Sequence, residues 1–142
     1  MNARGSTLIE TVTVLLILGV LAAAAAVPFV RPSEKAALER GVWEVQARLN
    51  YARFKSVYRC QPMKVTFRDG SCVVDHYDET ADEWVRESEH PLPGVTVQAN
   101  NAPIFHPTGT VSNLATITVS NARGTYRITL AISGRIKATR VA

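Results

Sequence analysis

Two cysteines, three histidines and 7% aromatic residues in a chain of 142 leave little from which to build a redox, metal or cofactor centre. Cys60 and Cys72 form a C-x11-C pair with no His or Cys at zinc-ligand spacing beside it. His76, His90 and His106 are scattered, and none adjoins a Ser or Cys motif of the kind that nucleophilic catalysis needs. No glycine-rich phosphate loop and no internal repeat is present. The acidic stretch D-H-Y-D-E-T-A-D-E-W (Asp75–Trp84) lacks the glycine turn and ligand spacing of a calcium loop, so it reads as a solvated hairpin connection. These absences argue against an enzyme and imply no cofactor.

Acid is missing from the last third of the chain. From Pro91 to Ala142 there are five basic residues, Arg123, Arg127, Arg135, Lys137 and Arg140, and no Asp or Glu. Between Asp75 and Glu89, by contrast, stand seven acids and one Arg. A net charge of +4 therefore hides a basic C-terminal third and an acidic middle.

Hydrophobic residues are concentrated at the N-terminus. Thr11 to Val30 would span about 30 Å as a helix, the thickness of a hydrocarbon core. Arg4, the run Leu15–Leu21 and the alanines at 22–26 also suit a secretory signal with a small-residue cleavage site. Glu10 fits neither a plain anchor nor a signal. Placing a carboxylate deep in a membrane helix costs about 2–3 kcal/mol, and such a residue usually has a partner.

Pro28 and Pro32 suit a kink. Ser33 reads as an N-cap, with Glu34 in the first turn favouring the helix dipole. Leu38, Val42, Val45, Leu49 and Ala52 recur at helical spacing, with Trp43, Phe54 and Val57 expected to broaden the stripe. Glu44 and Arg48 form a favourable i,i+4 pair. The pattern predicts one long helix from Leu8 to about Tyr58, bent near Pro28.

After Cys60 the period changes to two. Met63–Arg68 and Cys72–Tyr77 flank Asp69-Gly70, a two-residue hairpin signal that sets Phe67 opposite Cys72. A disulfide between Cys60 and Cys72 and a pair of free thiols both remain open. Further strands are expected at Glu83–Glu87, Val95–Ala99, Ile104–His106, Ala115–Ser120, Thr125–Ile132 and Arg135–Thr139. The predicted class is α+β, a long N-terminal helix packed on an antiparallel β-sheet head. Residues 31–142 are enough for one modest core.

G-S-T-L-I-E (Gly5 to Glu10), followed by an apolar run with Gly19 and then Pro28, resembles the prepilin signature of type IV pilins and type II secretion pseudopilins. The resemblance implies a leader, residues 1–5, cut after Gly5 by a prepilin peptidase. It also implies N-methylation of the new N-terminal Ser6, and pairing of Glu10 with the free N-terminal amine of a neighbouring subunit. Where the family most often has Phe, this chain has Ser6. Residues 6–30 would form a transmembrane and assembly helix. Residues 31–142 would form a periplasmic head, with its amphipathic helix at about 33–59 and its β region at about 62–142.

The C-terminal half carries a second resemblance. I-F-H-P-T-G-T-V, then I-T-V-S-N-A-R-G-T-Y-R-I-T-L, then S-G-R-I-K is similar to the GspH/FimT group of minor pseudopilins and FimT/FimU minor pilins. No cysteine follows Cys72 to close the C-terminal loop usual in major pilins, which favours a minor subunit. The resemblance implies a filament subunit, single-pass in the bacterial inner membrane with its head in the periplasm, then incorporated at or near the filament tip. The implied partners are other pilins or pseudopilins, the peptidase and N-methyltransferase, an inner-membrane assembly platform, and membrane lipids before assembly.

In FimT-type pilins a Gly-Arg-x-Arg turn near the C-terminus contributes to DNA capture. Here Gly134-Arg135-Ile136-Lys137 has Lys in place of the second Arg, which still neutralises a phosphate but loses bidentate geometry. Arg123, Arg135, Lys137 and Arg140 are therefore candidates for an anion or DNA patch. The competing reading is an edge strand protected by charge.

Overall fold

The computed structural model describes residues 8–25, 33–68 and 70–141. The chain divides into two compact units, Met1–Arg31 and Pro32–Ala142.

In the first unit α1 runs Leu8–Ala25. Its side chains from Leu8 to Leu21 are exposed, and apolar residues lie all round it rather than on one stripe. The hydroxyls of Thr11 and Thr13 donate to the carbonyls of Leu8 and Ile9 at 2.9 and 2.7 Å, so the helix itself satisfies its two threonines. The expected membrane span needs correction here. Among the described residues no helix is long and apolar enough to cross a membrane. The 18 residues of α1 reach about 27 Å at 1.5 Å each, short of a hydrocarbon core, and Glu10 lies in the first turn. This finding overturns the transmembrane half of the predicted fold and the single-pass inner-membrane location. The continuous helix from Leu8 to Tyr58 is likewise replaced by two helices, and Pro28 lies outside the described residues.

In the second unit α2 runs Glu34–Arg59. Ser33 caps it as expected, its Oγ accepting from the Ala36 amide at 3.3 Å, and Cys60 ends it in the left-handed region with φ 54°. Leu38, Val42, Val45, Leu49 and Ala52 are all buried, so the apolar stripe was legible. Trp43, Phe54 and Val57 do not broaden it. They are 73%, 69% and 48% exposed, because at 100° per residue Trp43 and Phe54 fall on the face opposite Val45 and Leu49.

Among the described residues nine strands form two antiparallel sheets. β1 (Met63–Arg68), β2 (Ser71–Asp78), β3 (Glu83–Pro91), β5 (Ile104–Phe105) and β6 (Val111–Ser112) make a five-stranded sheet in the order β3-β2-β1-β5-β6. β4 (Thr96–Ala99), β7 (Thr116–Asn121), β8 (Gly124–Leu130) and β9 (Ile136–Arg140) make a four-stranded sheet in that order. The β1–β2 hairpin has the expected register, Phe67 opposite Cys72. Only β6, two residues long, had no period-two signal to announce it.

α2 lies against both sheets. Met63, Val65, Phe105, Ile117, Val119 and Ile128 meet Val45 and Leu49 in one core from which water is excluded. β3 bulges against β2 where the register shifts between Val74 and Asp75. Glu87 is the extra residue, and its carboxylate reaches the end of α2.

Candidate functional site

Of the residues expected to serve assembly, Gly5, Ser6 and Pro28 lie outside the described residues. Glu10 is exposed in the first turn of α1, where the helix dipole favours a negative charge.

The outward face of α2 is aromatic. Trp43, Tyr51, Phe54 and Tyr58 follow one line along the helix, and the rings of Phe54 and Tyr58 stack at 5.9 Å and 12°. Lys55 Nζ donates to Tyr51 Oη at 2.6 Å. The end of this helix is clamped to the five-stranded sheet by charge. Glu87, 12% exposed, pairs with Lys55 and with Arg59 at 3.3 Å, and His76 Nδ1 stands 3.8 Å away. Two cations around one half-buried carboxylate hold the aromatic face in a fixed orientation on the head.

The four cations singled out near the C-terminus do not form one patch. Arg123 is ion-paired with Glu34 at 3.3 Å, which ties the β7–β8 turn to the start of α2. Arg140 ends β9 opposite Tyr126 and alternates with Thr139, so it leaves on the other side of the strand. Arg135 and Lys137 do line one shallow depression, together with Thr129. Sequence reasoning missed Arg127 as their companion. It pairs in register with Thr118 on one side and Thr139 on the other, on the same outer face as Lys137. The available signal was the hairpin register across Asn121–Gly124 and Ser133–Gly134, which sets Arg127 one row from Lys137. All residues of these four strands come from the acid-free part of the chain, so this face carries cations, hydroxyls and the Gln98 amide but no carboxylate.

The Gly134-Arg135 turn is anchored from beneath. Arg53 Nη2 donates to the Ser133 carbonyl at 3.0 Å, and the Gly134 amide donates to the Ala131 carbonyl at 2.8 Å. Ser56, fully buried, donates to the Arg53 carbonyl at 2.8 Å and lies 3.2 Å from the His106 carbonyl. His106 contacts Ser112 Oγ at 2.7 Å, and its carbonyl accepts from the Gly109 amide at 2.8 Å. The F-H-P-T-G segment is thus a packed turn between α2 and the basic turn.

Cys60 is an exposed free thiol, and Cys72 a buried one. Burial pushes the Cys72 thiol up to about 12, against a smaller opposing effect of Arg48. In the acidic connection, Asp78 accepts from the Thr80 and Ala81 amides at 2.8 and 3.3 Å, which holds its carboxyl below the usual range. The Tyr77 hydroxyl donates to Asp82. This segment is a self-capped turn.

A family model described as "Type II transport protein GspH" matches residues 42–134, well over half of the chain. No curated protein sequence matches it. Among solved structures, the minor pseudopilin EpsH of the type II secretion system of Vibrio cholerae superposes with a TM-score of 0.62 at 11% identity, covering 75% of this chain and 95% of that one. The type IV minor pilin FimU of Pseudomonas aeruginosa gives 0.61 at 16% identity, covering 75% of this chain and 91% of that one. These likenesses show a shared fold, and the family match reaches from α2 to Gly134, where the basic turn begins. The chain belongs to the GspH family of type II transport proteins.

Proposed function

We infer that this protein is a structural subunit of a type II secretion pseudopilus or type IV pilus and that it assembles with other pilin-like subunits through its helices. The observation that carries the reading is apolar surface without a cover. α1 exposes hydrophobic side chains all round, and α2 turns Trp43, Phe54 and Tyr58 outward. Exposed apolar surface of this kind on each helix marks an interaction site, and packing side by side with like helices removes it from water. No reaction is assigned to the chain.

In the finer form of the proposal, prepilin peptidase removes residues 1–5 after Gly5, and Ser6 is methylated. Residues 6–30 then act as the assembly helix and 31–142 as the head, at or near the filament tip. Glu10 receives the N-terminal amine of a neighbour, a pairing worth most where neighbouring helices exclude water. The test is mass spectrometry of the mature protein with a Glu10→Val comparison. An N-terminus at Ser6 carrying one methyl group is expected. Glu10→Val should be processed normally yet enter filaments poorly. An N-terminus near Val27, or normal assembly of Glu10→Val, contradicts the proposal.

A second reading is favoured by the acid-free face bearing Arg127, Arg135 and Lys137, which suits the phosphate backbone of DNA in an uptake pilus.

A further inference from the structure

The outer face of the five-stranded sheet, turned away from α2, carries a groove of about 240 Å³. Its floor is Val73, only 5% exposed although it lies on the outer face of β2. Trp84 forms one wall, and its indole is held from two sides. Tyr77 meets it edge-on at 5.3 Å, and Lys64 Nζ sits 4.2 Å from its ring centroid. Three cations rim the groove. Lys64 is shared with Asp75 at 3.7 Å, Arg86 leans on Glu89 at 2.9 Å, and Arg68 is ion-paired with none of the described residues.

We propose that this groove binds an acidic peptide segment of a partner protein, with carboxylates on Arg68 and Arg86 and an apolar side chain against Trp84 and Val73. Arg forks match carboxylates in a bidentate geometry, and the Trp84 ring with the Val73 floor offers a dry surface to an intervening hydrophobic residue. Asp75 decides between classes of anion. A carboxylate inside the groove repels an unbroken phosphate backbone, whereas a peptide brings amide N–H groups that Asp75 can accept. Lys64, 3.7 Å from Asp75, offsets part of that charge and leaves its acceptor oxygens in the groove. The lining is thus net positive but mixed, which fits alternating acid and amide rather than continuous negative charge. The inference uses residues of β1, β2 and β3 only and does not rest on the assembly reading.

The test uses the full chain in a non-ionic detergent that covers α1, with Trp43→Phe introduced so that Trp84 is the one indole reporter. A decapeptide alternating Glu and Leu is titrated against it. Its Gln–Leu counterpart and a ten-nucleotide oligothymidylate serve as comparisons. The Glu–Leu peptide is expected to change Trp84 emission saturably, with affinity falling as salt rises. The Arg68→Ala/Arg86→Ala double variant should bind it roughly tenfold more weakly at unchanged circular dichroism. Asp75→Asn should narrow the preference for peptide over oligothymidylate. Equal affinity for the Gln–Leu peptide, equal binding by the double variant, tighter binding of oligothymidylate, or no response to any probe would each overturn the proposal.

Discussion

Arg53 on α2 and Ser133 in the last turn are joined by a 3.0 Å hydrogen bond across 80 residues of sequence, and Gly134 sits directly over the same guanidinium. A Cβ at Gly134 would fall 2.5 Å from Arg53 Nε and 2.7 Å from the Gly109 carbonyl oxygen, at a φ of +78°. Gly134→Ala should therefore lower the unfolding free energy of the head by about 2–3 kcal/mol. Gly70→Ala is the control, since φ there is +72° but its Cβ would meet open space. It should cost about 1 kcal/mol. Urea unfolding of both variants checks this, and equal losses would mean that the contact with Arg53 does not constrain the turn.

The two faces of α2 should respond to truncation in opposite ways. Leu49→Ala removes a fully buried side chain and should cost about 2–5 kcal/mol of stability. Phe54→Ala and Tyr58→Ala remove exposed rings and should change stability by about 0.5 kcal/mol or less. The same two ring variants should enter filaments less well. Denaturation of the purified proteins and quantitation of sheared filaments separate the effects. A Phe54→Ala variant that unfolds easily would place that ring in a core.

Thiol labelling at neutral pH should modify Cys60 at once and Cys72 only after denaturation, one equivalent and then two. No labelling before reduction would reveal a disulfide. Because burial raises Cys72 from 9.0 to about 12, its contribution to stability is fully present below pH 9. Between pH 9 and about 12 the unfolded chain binds fewer protons than the folded one, so stability falls as pH rises through that window. Cys72→Ser should flatten this part of the pH–stability curve.

The DNA reading predicts that a triple variant, Arg127→Ala, Arg135→Ala and Lys137→Ala, weakens duplex binding for every sequence tested. Its log–log salt slope should be shallower by about one for each lost phosphate contact. Arg123→Ala and Arg140→Ala should matter less, since Arg123 is paired with Glu34 and Arg140 leaves on the other side of β9. Fluorescence anisotropy at several salt concentrations measures both. An unchanged slope in the triple variant would leave the face as charge protection of an edge strand.

Local rules account for what the residues alone announced. Ser33 caps α2 because its side chain bonds an amide three residues on, and that bond needs no distant partner. The stripe Leu38–Ala52 and the β1–β2 register follow from periods of 3.6 and two, which any chain with those residues obeys. The family signal in F-H-P-T-G and Gly134-Arg135 was readable because it consists of turn residues at set spacing.

Other outcomes depended on which segments became neighbours. Trp43 and Phe54 are hydrophobic enough for a core, yet the sheets cover only one side of α2, so the rings face outward. Arg123 carries the same charge as Arg127, but Glu34 happens to lie beside one and not the other. The bulge in β3 turns Glu87 toward Lys55 and Arg59, and no period in the sequence marks that extra residue. Sequence by itself determined α2 and all the strands but β6, because propensity, capping and periodicity act over a few residues. Only the tertiary structure decided which charges are neutralised and which apolar faces stay bare, because Coulomb pairing and burial depend on distances between segments far apart in the chain.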